Sequence, residues 1–344
     1  MVTRFLVKSQ LVDWHQLDHR QWGRRLVALG VLLGSAYLGR GASERHLLAL
    51  LGLGVILLFL RWPPLGLLGL VAAGLLVPFA IGTGTETALN VVVVLLPLLM
   101  GLWALRGLAR RDFDVAFSRP LLALLALCFV AALAFVNGSQ ALLRFGQVAP
   151  LTAQLGGLAV FLLSTMAFFL AAQYLRDGKW LRRLTWLFVA LGGAYAIGRL
   201  VPDGAIPVDN VYQIGATAGS LFWVWLVALA SAQALYNRTL ALPWRCLVGG
   251  AAIAALLVGL FQARGWISGW LPAVVALMAV LWMGSPRLAL LTTLLGAAAL
   301  ALNPETAVKA LDSLITGENA YSYITRLEAW RILGDIIPAS PLLG

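Results

Sequence analysis

Charge is what this sequence has least of. Only 11% of its 344 residues are Asp, Glu, Lys or Arg, less than half of the roughly 25% found in an ordinary soluble domain. Acidic residues are the scarcest part: there are 14, and none falls between Asp209 and Glu305. Histidine occurs three times, as His15, His19 and His46, and cysteine twice. So few histidines exclude a Ser-His-Asp or Cys-His arrangement. Cys128, inside an apolar run, and Cys246, at the start of another, form neither a disulfide framework nor a zinc spacing. No glycine-rich phosphate loop is present although glycine totals 35, and those glycines lie within apolar runs, where close helix packing is their expected use. About 25 polar or mixed residues precede the first apolar run, so no signal peptide is expected.

What is abundant is apolar: 61% of the residues are hydrophobic, against roughly 45–50% in a soluble domain. A soluble fold of this length cannot hide that much apolar surface, so the chain reads as an all-α, polytopic transmembrane helix bundle. A bilayer core of about 30 Å takes about 20 apolar residues per helix. The runs between charges give eleven candidate spans, near 26–39, 47–60, 65–81, 88–105, 120–136, 151–175, 184–201, 214–236, 244–262, 266–283 and 287–302. The first two are short, and as a re-entrant pair they would leave nine spans with the same parity.

The net charge of +11 then belongs to membrane orientation rather than to a nucleic-acid partner. With the N-terminus inside, 17 of the 25 Lys and Arg fall in inner segments and 8 in outer ones, the usual bias of cytoplasmic loops. This places residues 1–25 as a cytoplasmic interface segment, 26–302 as the transmembrane domain and 303–344 outside, as the start of an outer loop. Leu11, Val12, Trp14, Leu17 and Trp22, set among Asp13, Asp18 and Arg20, predict a helix lying in the inner interface. Residues 320–337, with Tyr323, Leu327, Trp330 and Ile337 before Pro338, predict an amphipathic helix on the outer membrane face.

His15 and His19 have the i, i+4 spacing of a helical metal pair, but two ligands do not make a three- or four-ligand site. Asp112-Phe113-Asp114 matches the Asp-X-Asp with which many nucleotide-sugar glycosyltransferases hold a divalent cation, yet it falls among Arg110, Arg111 and Arg119 and reads as a charged inner loop. No metal and no other cofactor is expected.

The outer arginines carry more information, since charges near membrane depth are costly and usually partnered. Arg264 sits in the acid-free stretch, in Phe261-Gln262-Ala263-Arg264-Gly265-Trp266, at the outer junction of two spans. It reads either as an arginine snorkelling to a headgroup or as an anion site suited to the bidentate guanidinium. Arg326 has Ser322, Tyr323, Ala329 and Trp330 at helical spacing and so no local carboxylate. Arg331 has Glu328 at i−3 and Asp335 at i+4, which predicts a structural ion pair. Two unpaired outer arginines can hold the two phosphates of a lipid pyrophosphate, with Arg331, Arg199 and Arg144 as secondary candidates.

The run Thr325-Arg326-Leu327-Glu328-Ala329-Trp330-Arg331, continuing to Ile336-Ile337-Pro338 and Pro341-Leu342-Leu343-Gly344, resembles the pattern of the bacterial O-antigen ligase and polymerase family of polytopic glycan transferases. That pattern is Ser/Thr-Arg, a Trp four residues on and a Pro-Leu-Leu-Gly turn opening the large outer loop. Ala263-Arg264-Gly265-Trp266 is similar to the family's Ser-Arg-Gly-Ala segment. Specific likeness covers about 30 residues, and likeness of topology the whole chain. The resemblance implies metal-independent glycan transfer from an undecaprenyl-pyrophosphate-linked donor to an acceptor hydroxyl, on lipid A-core or a growing glycan, at the outer face of the bacterial cytoplasmic membrane. It implies that Arg264 and Arg326 contact the donor's pyrophosphate. The family's candidate catalytic histidine lies in the outer loop beyond the Pro-Leu-Leu-Gly turn, hence beyond Gly344. The expectation is therefore an N-terminal portion of a longer protein, inactive by itself, with ligase and polymerase both open. The alternative is a transporter or lipid-linked glycan flippase, but the chain lacks the paired repeats and mid-membrane charges common in transporters.

Overall fold

A computed structural model describes residues 54, 56–82, 88–111, 113, 115, 117–139, 150–262, 266–302, 304, 305, 308, 312 and 317–339. By its internal contacts the chain divides into two compact units, Met1–Leu58 and Phe59–Gly344. The architecture below is that of the second. The interface helix expected in residues 1–25 and the first candidate span lie outside the described residues, and so does most of the second.

The described residues are nearly all helical. Helix α1 (Pro63–Leu76) opens on two prolines, whose fixed φ suits a first turn and whose missing N–H groups have no partner there anyway. It stops short of the expected 65–81 because Val77, held extended before Pro78, cannot continue it. The chain then forms a short antiparallel pair, β1 (Ala80–Gly82) and β2 (Ala88–Asn90), with Ile81 opposite Leu89. Asn90 Oδ1 accepts from Val92 N at 3.1 Å and starts α2 (Val92–Arg110), which ends at Arg111 in the left-handed region, φ 53°. Next come α3 (Arg119–Ser139), α4 (Leu151–Tyr174) and α5 (Gly178–Leu200). Asp177 caps α5 by accepting from Lys179 N at 2.9 Å.

The span expected at 214–236 is broken by Ala218-Gly219. Short helices α6 (Ala205–Val211) and α7 (Ile214–Thr217) precede α8 (Ser220–Tyr236). Then follow α9 (Leu242–Leu257), which continues as a π turn over Val258–Gln262, α10 (Ile267–Gly284), α11 (Pro286–Leu302) and α12 (Gly317–Ala339).

Five of the described helical stretches are long and apolar enough to cross a membrane: Val92–Arg110, Arg119–Val136, Leu151–Tyr174, Leu242–Gln262 and Ile267–Gly284. Their outward faces suit lipid. On α3, Leu122, Leu125, Phe129, Val130, Leu133 and Val136 are all exposed, a surface that water would not tolerate but hydrocarbon does. Helix α8 lies at the centre, packed against α5, α9 and α10, while α1 packs on α2, α4 and α5. Tyr195, Tyr212, Phe222, Trp223, Leu226 and Val258 form the core between them. Helices α5 and α9 approach closely at Gly193, where a Cβ would lie 3.0 Å from that of Ala251. Small residues at such a contact are the expected device for packing helices whose other faces meet lipid. At the far end of this bundle Arg245 donates to the carbonyls of Ala234 and Leu235, at 2.8 and 3.0 Å, satisfying two carbonyls that the end of α8 leaves open.

Helix α12 covers the segment expected to be helical, but not with one apolar stripe. Every described side chain on it from Tyr321 to Pro338 is exposed. At about 100° per residue, Tyr323, Leu327, Trp330 and Ile337 share a face about 80° wide, but Ile324, Ile332, Leu333 and Ile336 lie on the others, so apolar side chains ring the helix. Pro338 falls inside its last turn rather than before its end.

Candidate functional site

Of the five arginines expected to meet an anion, Arg264 and Arg144 lie outside the described residues. Arg326 and Arg331 are exposed on α12. The pair expected between Arg331 and Glu328 or Asp335 does not form: among the described residues the salt bridge found is Arg199 with Asp209, at 3.2 Å. On an exposed helix face an i, i+4 pair is worth only about 0.3–0.5 kcal/mol, too little to hold two long side chains together.

Arg199 is the one that the structure places in a site. It stands in the last turn of α5 and donates from Nη1 to the Tyr195 hydroxyl at 2.9 Å and to Asp209 Oδ1 at 3.2 Å. Its Nε donates to Gln262 Oε1 at 3.2 Å, and Gln262 Nε2 donates back to the Arg199 carbonyl at 2.8 Å. That carbonyl is one of the four that the end of α5 leaves without a helical partner. Gln262 therefore both caps α5 and fixes its guanidinium. The guanidinium carbon also lies 5.7 Å from the centre of the Tyr195 ring.

Each partner is brought in by a separate local feature. Tyr195 sits one helical turn before Arg199 on the same face. Its ring packs against Tyr212 at 5.1 Å, Phe222 at 5.8 Å and Trp223 at 6.0 Å. Asp209 returns to Arg199 because the chain reverses at Val201-Pro202-Asp203-Gly204. Asp203 takes φ 59° there, and Gly204 N donates to the Val201 carbonyl at 2.9 Å. A side chain at Gly204 would collide with the Gly198 carbonyl oxygen, so the turn requires glycine. Gln262 is the last residue of the π turn. Such wide turns add a residue to a helix and often serve functional sites.

Tyr212 closes the cluster from below, its hydroxyl donating to the Leu191 carbonyl at 2.9 Å. Burial raises the Tyr212 hydroxyl above its ordinary range, so it stays a donor across all physiological pH.

The Arg199 and Asp209 side chains remain 27% and 33% exposed. Arg199, expected as a secondary pyrophosphate contact, is thus already balanced by a carboxylate, and its geometry suits holding Gln262 and the end of the π turn. Asp209, Tyr195 and Gln262 had not been singled out from the sequence. The turn sequence Pro202-Asp203-Gly204 and the i−4 tyrosine were signals that could have found two of them. No protein-family model, no curated protein and no solved structure matches this chain.

Proposed function

We propose that the protein is a membrane glycan transferase of the O-antigen ligase or polymerase type, taking its donor as a polyprenyl-pyrophosphate-linked glycan on the outer face of the cytoplasmic membrane. The observation that carries this reading is the two-way bond between Gln262 and Arg199. It anchors the end of α9 beside the end of α5, and Arg264 follows Gln262 by two residues, a reach of at most about 7 Å between α-carbons. Asp209 neutralises Arg199, so the pyrophosphate contacts proposed are the two arginines singled out from the sequence, Arg264 and Arg326. The topology expected from the sequence, nine or eleven spans with the N-terminus inside, has both arginines on the outer side.

In the proposed reaction the acceptor hydroxyl oxygen bonds to the anomeric carbon of the donor sugar while the bond from that carbon to the pyrophosphate oxygen breaks. The pyrophosphate leaves with the electron pair, and the hydroxyl loses its proton. The arginines neutralise charge that grows on the leaving group, which is electrostatic stabilisation of the transition state. A groove of about 460 Å³ between α3 and α4, lined by Leu127, Val130, Phe135 and Phe161, offers a lipid chain an apolar bed.

A transfer assay in detergent micelles separates this reading from a flippase, because micelles have no second leaflet to flip to. The full product of the gene, given lipid-linked glycan and an acceptor in micelles, is expected to release polyprenyl pyrophosphate and form the acceptor-linked glycan. A protein that moves lipid-linked glycan across vesicles yet forms no product in micelles is a flippase.

A further inference from the structure

The opposite end of the bundle holds a cavity that the proposed reaction does not use. Gln213 N donates to the Leu75 carbonyl at 2.7 Å, which ties the Arg199 end of the molecule to the C-terminus of α1. The cavity is at the other end of α1, against Pro63 and Pro64, about 20 Å away along a helix of this length. It is an open cavity of about 350 Å³, and its polar wall is made by Arg106, Arg110, Gln173, Tyr174 and Arg176, with Trp103 beside them.

We propose that this cavity binds the phosphate of an anionic phospholipid headgroup. Three guanidinium groups from α2 and the end of α4 meet in one space whose lining, among the described residues, contains no carboxylate. Arg106 and Arg110 are like charges at i, i+4, an arrangement that by itself destabilises a helix. Among the described residues neither makes an ion pair or hydrogen bond. Orientation in the membrane requires basic residues somewhere in the inner loops, but it does not require them to converge on a cavity. The carbonyl ends of α2 and α4 reach the same region, and their dipoles together are worth about one negative charge. Arg106 and Arg110 alone exceed that by about one charge, the charge of a phosphodiester.

The wall is also preformed. Trp103 is held edge-on by Phe169 at 4.7 Å and by Phe113 at 5.9 Å, so the residue between Asp112 and Asp114 packs back onto the cavity's side. Gln173 accepts from Arg176 Nη2 at 2.7 Å, while its Nε2 is buried with no partner among the described residues. Trp62 and Phe113, beside Pro63 and Trp103 of the wall, are exposed and give a lipid's tails an apolar surface next to its headgroup. Basic pockets between helices at the positively charged side of a membrane are a recurrent way to hold anionic headgroups.

The test is equilibrium binding to the detergent-purified chain, with dioctanoyl phosphatidylglycerol, dioctanoyl phosphatidylcholine and inorganic phosphate as probes. Phosphatidylglycerol is expected to bind, zwitterionic phosphatidylcholine to bind at least about tenfold more weakly, and Arg106→Gln/Arg110→Gln to weaken phosphatidylglycerol by about ten- to a hundredfold, the value of one or two charge-assisted hydrogen bonds. Arg110 is exposed, so Arg110→Gln alone preserves the fold and should retain part of the loss. The control Arg238→Gln, in a different basic loop, should change nothing. Inorganic phosphate that fails to displace the lipid identifies the headgroup as the source. Inorganic phosphate that binds by itself and displaces it, with the same loss in the variants, keeps the phosphate site but makes its ligand soluble. Binding that is undetectable, or equal in wild type and both variants, overturns the proposal. None of these outcomes depends on glycan transfer.

Discussion

Replacing Arg264 with Ala is expected to slow glycan transfer by about 10²- to 10³-fold, the usual loss when one preorganised group that stabilises developing negative charge is removed. The reason lies in the charge balance of this end of the bundle. Asp209 cancels Arg199, and from Asp209 to Glu305 the sequence supplies no other carboxylate to cancel Arg264. A leaving pyrophosphate gains charge in the transition state, so a guanidinium beside it stabilises that state more than the bound donor. Arg264→Lys should fall between wild type and Arg264→Ala, because a point charge replaces a planar fork that contacts two oxygens. Arg326→Ala is expected to act in the same direction, and the double variant to abolish transfer. Initial rates with a lipid-linked glycan check this, with membrane levels of each variant matched to wild type. Undiminished rates in both single variants would remove the pyrophosphate contact from these two residues.

The largest structural effect is expected at Gly193. The helices α5 and α9 meet there with 3.0 Å between the position of a Cβ at Gly193 and the Cβ of Ala251. Gly193→Leu must place four carbons in that space, and inserting extra carbons into a packed contact costs typically about 1–3 kcal/mol. The loss here should lie at the upper end, because the Ala251 Cβ is fixed to the backbone of α9 and has no rotamer by which to swing aside. Separating α5 from α9 also draws Gln262 away from Arg199, so the variant should lose ligand binding before it unfolds. Thermal melts in detergent check the first effect and binding at low temperature the second. Ala251→Gly in the same chain should restore part of the melting temperature. A Gly193→Leu protein as stable as wild type would show that α5 and α9 do not touch at this point.

Most helix positions were legible in the sequence because charges interrupt the apolar runs. Helices α3, α4 and α10 begin and end within a few residues of the runs at 120–136, 151–175 and 266–283. The errors have local causes. Pro78 stops α1 early, and Ala218-Gly219 divides a run whose hydropathy is unbroken. Hydropathy averages over a window, whereas a helix ends at single residues with no way to continue.

The site was less legible because its bonds are long-range. Gln262 and Arg199 are 63 residues apart, and nothing in either neighbourhood announces the other. Likewise Arg106 and Arg110 read only as orienting charges, since no sequence pattern reveals that the ends of α2 and α4 enclose a cavity with them. Arg331 shows the reverse: helical spacing to two carboxylates suggested a pair, and exposure to solvent removed the reason to form it.

The most direct measurement is equilibrium binding of undecaprenyl pyrophosphate to the purified chain, set beside undecaprenol, which has the same tail and no phosphate. The pyrophosphate is expected to bind at least about a hundredfold more tightly than the alcohol, as two or more charge-assisted hydrogen bonds would give. Arg264→Ala should erase most of that difference, and Arg106→Gln/Arg110→Gln, at the other end of the bundle, should leave it intact. Equal binding of pyrophosphate and alcohol, or a preference that survives Arg264→Ala and Arg326→Ala together, would contradict a donor held by its pyrophosphate at the outer arginines.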